Sequence, residues 1–367
     1  MTRAMHSLTR LFPLLAFLCL SPMAAQAADL SGDLYSFQMG IAGELIHIPS
    51  SYQQMEGSGW SYGGDGDELL RPEQRATCVW EKNGVKLQGE MINTSWDVRP
   101  VGECTLAAVT VRTPEAALPG DIFLGVSRAE EVVSAYGVPS GTYEDSDSFQ
   151  YTYRLDYDQE ALFTFTSGSG QLCRVSLRNV VMDAAPDLTA LAIQTPPVTE
   201  GYQAPDSLGE DPLSFRVSFG NMLYALPAPV SEFVKNGWTL SDGADNVVKA
   251  CGSGQLTLSL DGQSFTTWVY NDSPKAALAR DCLVTTVVSD TSRGNIPLML
   301  PGGITIGMNE ADALALLGSL PVTTSETASL RRYAIVSGQA AVILSVQRST
   351  EVISRVEITA APRGSQK

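Results

Sequence analysis

The chain has 367 residues, 40 Asp+Glu against 24 Lys+Arg, two histidines and 44 % hydrophobic residues. This length excludes a single small module, and the apolar content excludes a disordered chain. The formal charge of −16 disfavours phosphate backbones and anionic lipid, so no nucleic acid is expected as a partner.

Residues 1–27 open with a basic n-region holding Arg3 and Arg10, continue in an apolar run from Leu11 to Leu20, and end on Ala25-Gln26-Ala27. That is the pattern of a secretory signal peptide. Cleavage near Ala27 would remove both arginines and His6, take the net charge to −18 and leave the protein in an extracytoplasmic space, periplasmic or secreted. Cys19 follows Phe17-Leu18 where a lipidated cysteine wants small residues, so lipidation is not expected. The run is about half the ~20 residues a bilayer span needs, and no later segment approaches that length, so no transmembrane segment is expected.

The remainder reads as a tandem duplication. Leu45-Ile-His-Ile-Pro49, then Gly59-Trp60, recurs as Leu223-Tyr-Ala-Leu-Pro227, then Gly237-Trp238, with 11 positions from Pro to Trp both times. Asn93-Thr-Ser95 precedes Cys104 by 11 positions, as Asn271-Asp-Ser273 precedes Cys282. Leu118-Pro-Gly-Asp-Ile122 with Gly125 and Pro139 matches Leu300-Pro-Gly-Gly-Ile304 with Gly307 and Pro321, so the ordered landmarks lie at offsets of 178 to 182. We expect copies over 28–182 and 213–361, a Pro-rich linker over 183–212 and a tail over 362–367.

Each copy divides again, into a β-rich part (35–117 and 213–299) and a second part (118–182 and 300–361). In the first parts, Asn83-Gly84 and Asp261-Gly262 each stand between alternating runs and predict β-hairpins. Val230–Val234 spaces its apolar residues as a short helix would, with Gly237 at its stop. The second parts predict a short strand such as Ile304–Ile306, a capped helix and three strands near Tyr151, Leu162 and Arg174, with counterparts near Tyr333, Val342 and Arg355. Ser127 with Glu130, and Asn309 with Asp312, stand where caps are wanted. One helix crossing an antiparallel sheet would bury these faces, giving an α+β fold class.

The run Ile-x-Ile-Gly307-Met308-Asn309, with Ala313-Leu314, a Gly and Pro321, then a Tyr-bearing strand and a meander, resembles the module of the outer-membrane assembly lipoprotein BamE and the β-lactamase inhibitor protein. The likeness spans about 60 residues of each copy. It implies the helix-on-sheet architecture and, for inhibitors of the second kind, tandem modules offering a sheet to an enzyme; no contact residue carries over. The first part of each copy resembles uncharacterised exported bacterial proteins.

Candidate chemistry is sparse. His47 is the mature protein's only histidine, so a Ser-His-Asp, Cys-His or multi-histidine metal site cannot be assembled in one chain, and its alternation between Ile46 and Ile48 reads as a strand position. Gly57-Ser-Gly59 and Thr166–Gly170 lack the order of a nucleophile elbow. Asp65–Glu68 and Glu144–Asp147 offer hard oxygens without an EF-hand spacing and read as solvated loop tips. The sequence points to no catalytic residue, cofactor or metal. Trp60 and Trp238 read as repeat-equivalent structural aromatics, and Trp96, whose counterpart in the other copy is Pro274, as a partner contact. Asn93 and Asn271 fit the glycosylation pattern but read as turns. Of the five mature cysteines, pairing within each copy would join Cys78 to Cys104 and Cys251 to Cys282, leaving Cys173 as a buried free thiol. These features favour a secreted interaction module for a protein or a cell-envelope polymer, not an enzyme. An inhibitor or envelope-assembly factor, and a carboxylate-based hydrolase, are the alternatives.

Overall fold

The computed structural model describes residues 30–114, 116–192, 201–292 and 296–361. The leader, Pro196 and Pro197 of the linker, and the tail lie outside the described residues. The chain forms two compact units, 1–94 with 99–182 and 95–98 with 183–367. Residues 183–192 and 201–212 therefore belong with the second unit; they include a short helix, Leu188–Ala192, and Tyr202, whose hydroxyl accepts from the Ala225 amide at 3.1 Å.

The fold is mostly β, which corrects the α+β expectation: among the described residues strand accounts for 45 % and helix, 3-10 turns included, for 15 %, with five short α-helices. The reason is length. Helices of six to eight residues bury one to three side chains each, such as Met55 in Tyr52–Gly57 or Val230 and Phe233 in Val230–Lys235. They plug gaps beside the sheets and do not form a layer.

In the first unit, a nine-stranded sheet runs in the order Gly141–Glu144, Ser148–Asp156, Gln159–Thr166, Leu172–Asn179, Thr105–Val111, Val85–Ile92, Arg75–Lys82 and Ser61–Tyr62, with Ser50–Ser51 also on Thr105–Val111. Thr105–Val111 pairs with Val85–Ile92 on one side and Leu172–Asn179 on the other, so one sheet joins the residues expected as two separate parts. A four-stranded sheet links Gln38–Ile41 and Glu44–His47 to Ala117–Leu118 and Ile122–Phe123. Alternation decides the faces. Cys78 and Trp80 of Arg75–Lys82, and Leu87, Gly89 and Met91 of Val85–Ile92, point into the core, while their neighbours point out. Asn83 (φ 52°) and Gly84 (φ 80°) supply the left-handed pair that the two-residue turn between these strands requires.

The second unit repeats the plan with a break. Gln263–Tyr270 pairs with Ser253–Leu260 across Asp261-Gly262, and with Leu283–Val284 on its other side. Thr286–Asp290 then opens a second five-stranded sheet with Val352–Thr359, Ala340–Gln347, Leu330–Ser337 and Thr323–Glu326. Thr285 separates the two strands, its amide donating to the Trp268 carbonyl at 3.1 Å.

Local devices recur at equivalent places. Asp33 and Asp211 each cap a 3-10 turn that ends on a phenylalanine at positive φ, Phe37 and Phe215. The Ile48-Pro49 and Leu226-Pro227 bonds are both cis. Asn93 Nδ2 donates to the Leu70 carbonyl (2.9 Å) and Asn271 Nδ2 to the Val248 carbonyl (3.3 Å), so both asparagines are buried ties between strands and not open glycan acceptors. One cap differs from expectation. The helix Ala129–Tyr136 starts a residue later than Ser127 suggests: Arg128 is the N-cap, its amide donates to Glu131 (2.7 Å), and the Ser127 hydroxyl accepts from Phe123. Asn309 does cap Glu310–Leu317, accepting from the Ala311 amide at 2.9 Å. No strand forms over 304–306, where a single bridge joins Thr305 to Met299.

Candidate functional site

The first unit holds a cleft on the outward face of its large sheet, the second unit holds one that spans its two five-stranded sheets, and the two clefts are built from equivalent positions. In the first unit the cleft has a volume of about 480 Å³ and is lined by Gln88, Glu90, Arg112, Glu160, Arg174 and Arg178, among others. In the second unit its volume is about 310 Å³, with Thr266, Trp268, Val288, Asp290, Arg355 and Glu357 in the lining. Gln88 corresponds to Thr266, Glu90 to Trp268, Arg112 to Asp290, Arg174 to Arg355 and Ser176 to Glu357.

Register explains the groupings. In the first unit, Ser176 faces Thr110 and Arg178 faces Ala108 across the Leu172–Asn179 ladder, so Arg174 and Arg112 stand opposite one another one step beyond its last pair. Arg178 is held by Glu90 at 2.8 Å, and Glu160 by Arg154 at 2.9 Å. Arg174 donates through Nε to the buried hydroxyl of Thr164 at 3.2 Å. Neither Arg112 nor Arg174 forms an ion pair among the described residues. In the second unit Arg355 reaches Asp290 at 3.1 Å and Glu357 at 2.8 Å. Partial burial alone would raise the Asp290 carboxyl; the bonds from Ser292 and Arg355 outweigh it and hold the group below the usual carboxylate range.

Trp268 is the open aromatic of this face. It is 50 % exposed and makes no ring contact among the described residues, because Thr267 and Val269 take the inward positions of its strand. Reading out that alternation in the sequence would have found it.

The residues singled out from sequence are placed elsewhere. Trp60 and Trp238 are 2 % and 1 % exposed core residues. Trp238 lies 5.1 Å from Phe219 in a near-parallel stack, with Phe265 edge-on to it. Trp96 belongs to the stretch that packs with the second unit: its Nε1 donates to the Asp183 carbonyl (3.2 Å), Lys249 Nζ sits 5.2 Å from its ring, and it covers Leu191, Ala276 and Leu278. Its ring is thus engaged with its own chain, unlike that of Trp268. His47 is exposed, and the nearby Ser50 hydroxyl is committed to the His47 carbonyl. Asp65 accepts from the Asp67 amide, and Asp145 from the amides of Asp147 and Ser148. Those backbone bonds hold the Asp145 carboxyl below its ordinary value. Among the described residues no group of three or more His, Cys, Asp or Glu is placed to hold a metal.

The five cysteines among the described residues stand unbonded to one another in this structure, the expected partners Cys78, Cys104, Cys251 and Cys282 included. Cys104 and Cys282 each donate 3.3 Å to a carbonyl four residues back, that of Pro100 or Leu278, and Cys251 donates to the Ser273 carbonyl at 3.8 Å. Burial pushes the Cys78 and Cys104 thiols up to about 11 and raises Cys282 as well, which keeps them protonated and unreactive. Cys173 is half-buried at a bulge and bonds to the Thr164 carbonyl at 3.3 Å. Its counterpart Ser354 makes the same bond to the Ser345 carbonyl at 3.2 Å, so the position calls for a small donor and not a nucleophile.

No protein-family model matches the chain, and no curated protein sequence matches it either. No helix among the described residues is long and apolar enough to cross a membrane.

Proposed function

We propose that the protein is an extracytoplasmic interaction module that binds a protein or a cell-envelope polymer on the outward sheet faces of its two units. The observation behind this reading is the recurrence of a cleft at equivalent positions, with different chemistry in each: an open Trp268 and an ion-paired arginine in one, two arginines without an ion pair among the described residues in the other. A pair of related clefts with unlike contents suits recognition of an extended partner at two points. The leader-like pattern of residues 1–27 supports the compartment. The commitment of Ser50 to a carbonyl, and of Glu90 and Glu160 to arginines, supports binding over catalysis.

A photo-crosslinking residue placed at Thr266 or Gln88, in the cell that makes the protein, tests this. Both positions should yield the same discrete adduct, Trp268→Ala should abolish the one from Thr266, and Val336, exposed elsewhere in the second unit, should yield none. Adducts of equal intensity from Val336, or none from either cleft, would overturn the reading.

A further inference from the structure

The row of outward positions that crosses each unit's cleft is neutralised in one unit and open in the other. In the second unit Arg355 is flanked by Asp290 and Glu357, both within ion-pair distance. In the first unit the equivalent arginine, Arg174, has Arg112 in the place of Asp290 and Ser176 in the place of Glu357. The first substitution reverses a charge and the second removes one. Two arginines thereby stand opposite one another one step beyond the last paired residues of adjacent strands, both lining the cleft, and like charges so placed are unfavourable without a counter-charge. The open pair stands out in a chain whose net charge is −16.

We propose that Arg112 and Arg174 form a binding site for the carboxylate of an acidic peptide segment. The inference rests on the interaction-module reading and names its ligand chemistry. The second unit shows what satisfies this arginine: the side-chain carboxylates of aspartate and glutamate. The serine hydroxyl at 176 is itself taken up by Thr110 at 2.8 Å, so no carboxylate among the described residues of the first unit pairs with Arg174 in their place. The site is organised in advance, because the bond from Arg174 Nε to the buried Thr164 hydroxyl fixes the guanidinium plane and leaves its two Nη groups free for a bidentate contact. The cleft volume of about 480 Å³ accommodates a few residues beside that carboxylate.

Calorimetric titration of the whole secreted chain with tetraglutamate, at low ionic strength, tests the site. One peptide should bind per chain. Arg112→Asp, which sets a carboxylate against Arg174 as Asp290 is set against Arg355, should weaken binding at least about tenfold, and Arg174→Ala should do the same. Arg71→Asp, an equal charge change at an exposed position outside the cleft, should leave the affinity unchanged. No binding, or equal loss with Arg71→Asp, would overturn the proposal. Binding of tetragalacturonate in place of tetraglutamate would overturn the peptide assignment. Because the readout concerns Arg112 and Arg174 alone, its failure would not touch the crosslinking result at Thr266 on which the wider reading stands.

Discussion

Thr105–Val111 in the first unit and its counterpart in the second start from the same pattern and finish differently. The first runs unbroken through a bulge at Glu90/Met91 and joins eight other strands into one sheet. The second stops at Thr285 and divides the strands between two sheets. One contributing cause is visible at a core position of the neighbouring strand. Gly89 lets Leu106 approach closely: a Cβ there would meet Leu106 Cδ1 at 2.6 Å and the Ala108 carbonyl at 3.0 Å. Its equivalent, Thr267, is accommodated by the smaller Val284 and bonds the Thr286 carbonyl with its hydroxyl. A small residue against a large one, or a medium pair, fills the same space, but only the first leaves the ladder continuous.

The largest effect should come from what the units share. Trp60→Ala and Trp238→Ala remove equivalent, fully buried indoles and should each cost about 4 kcal/mol by chemical denaturation. If only one of them were costly, the two cores would not be equivalent.

Glu310→Ala should follow, at about 2 kcal/mol for the lost charge-assisted hydrogen bonds, and has no parallel in the first unit, where Ala129 takes its place. The Glu310 carboxylate is buried against Arg331 (2.7 and 2.8 Å) and the Tyr333 hydroxyl. Burial alone would raise this group, but the hydrogen bonds from Tyr333 and Arg331 prevail and hold it below its ordinary value of 4.5. A lowered folded value means the stabilisation is present in full above 4.5 and is lost as pH falls through the lowered value. Hydrogen exchange across an acid series should therefore open the helix Glu310–Leu317 before Ala129–Tyr136, and Glu310→Ala should remove that acid dependence.

Gly89→Ala should destabilise the first unit by about 2 kcal/mol, because the contact includes backbone that cannot turn aside. The reverse change in the second unit, Thr267→Ala, removes one hydroxyl bond and should cost about 1 kcal/mol. The smallest effects belong to the cleft: Asp290→Ala and Arg112→Asp should each shift stability by less than about 1 kcal/mol, since the Asp290–Arg355 pair is partly exposed and Arg112 is an exposed residue.

Much of the local structure was legible in the sequence. Asn83-Gly84 and Asp261-Gly262 dictate their hairpins through left-handed backbone that few other residues adopt, and the strands near Tyr151, Leu162 and Arg174 follow from alternation. Long-range register was not legible. Arg112 and Arg174 are far apart along the chain and meet only because Thr105–Val111 pairs with Leu172–Asn179 at one register, which no short pattern encodes. The fold class was misjudged for a related reason: capping signals mark where a helix begins, but how little it covers depends on sheets assembled from distant strands. Trp96 drew notice as an unmatched tryptophan beside a turn, whereas the open Trp268 lay in a strand whose faces had to be assigned first.

The central claim is that the two clefts share a frame and differ in whether their arginine is already satisfied. Side-chain NMR of ¹⁵N-arginine-labelled protein, titrated with tetraglutamate, tests it most directly. The account expects the Nε signals of Arg174 and Arg112 to move together while that of Arg355, held by Asp290 and Glu357, stays in place. Movement of Arg355 to the same extent, or no movement of Arg174, would contradict it.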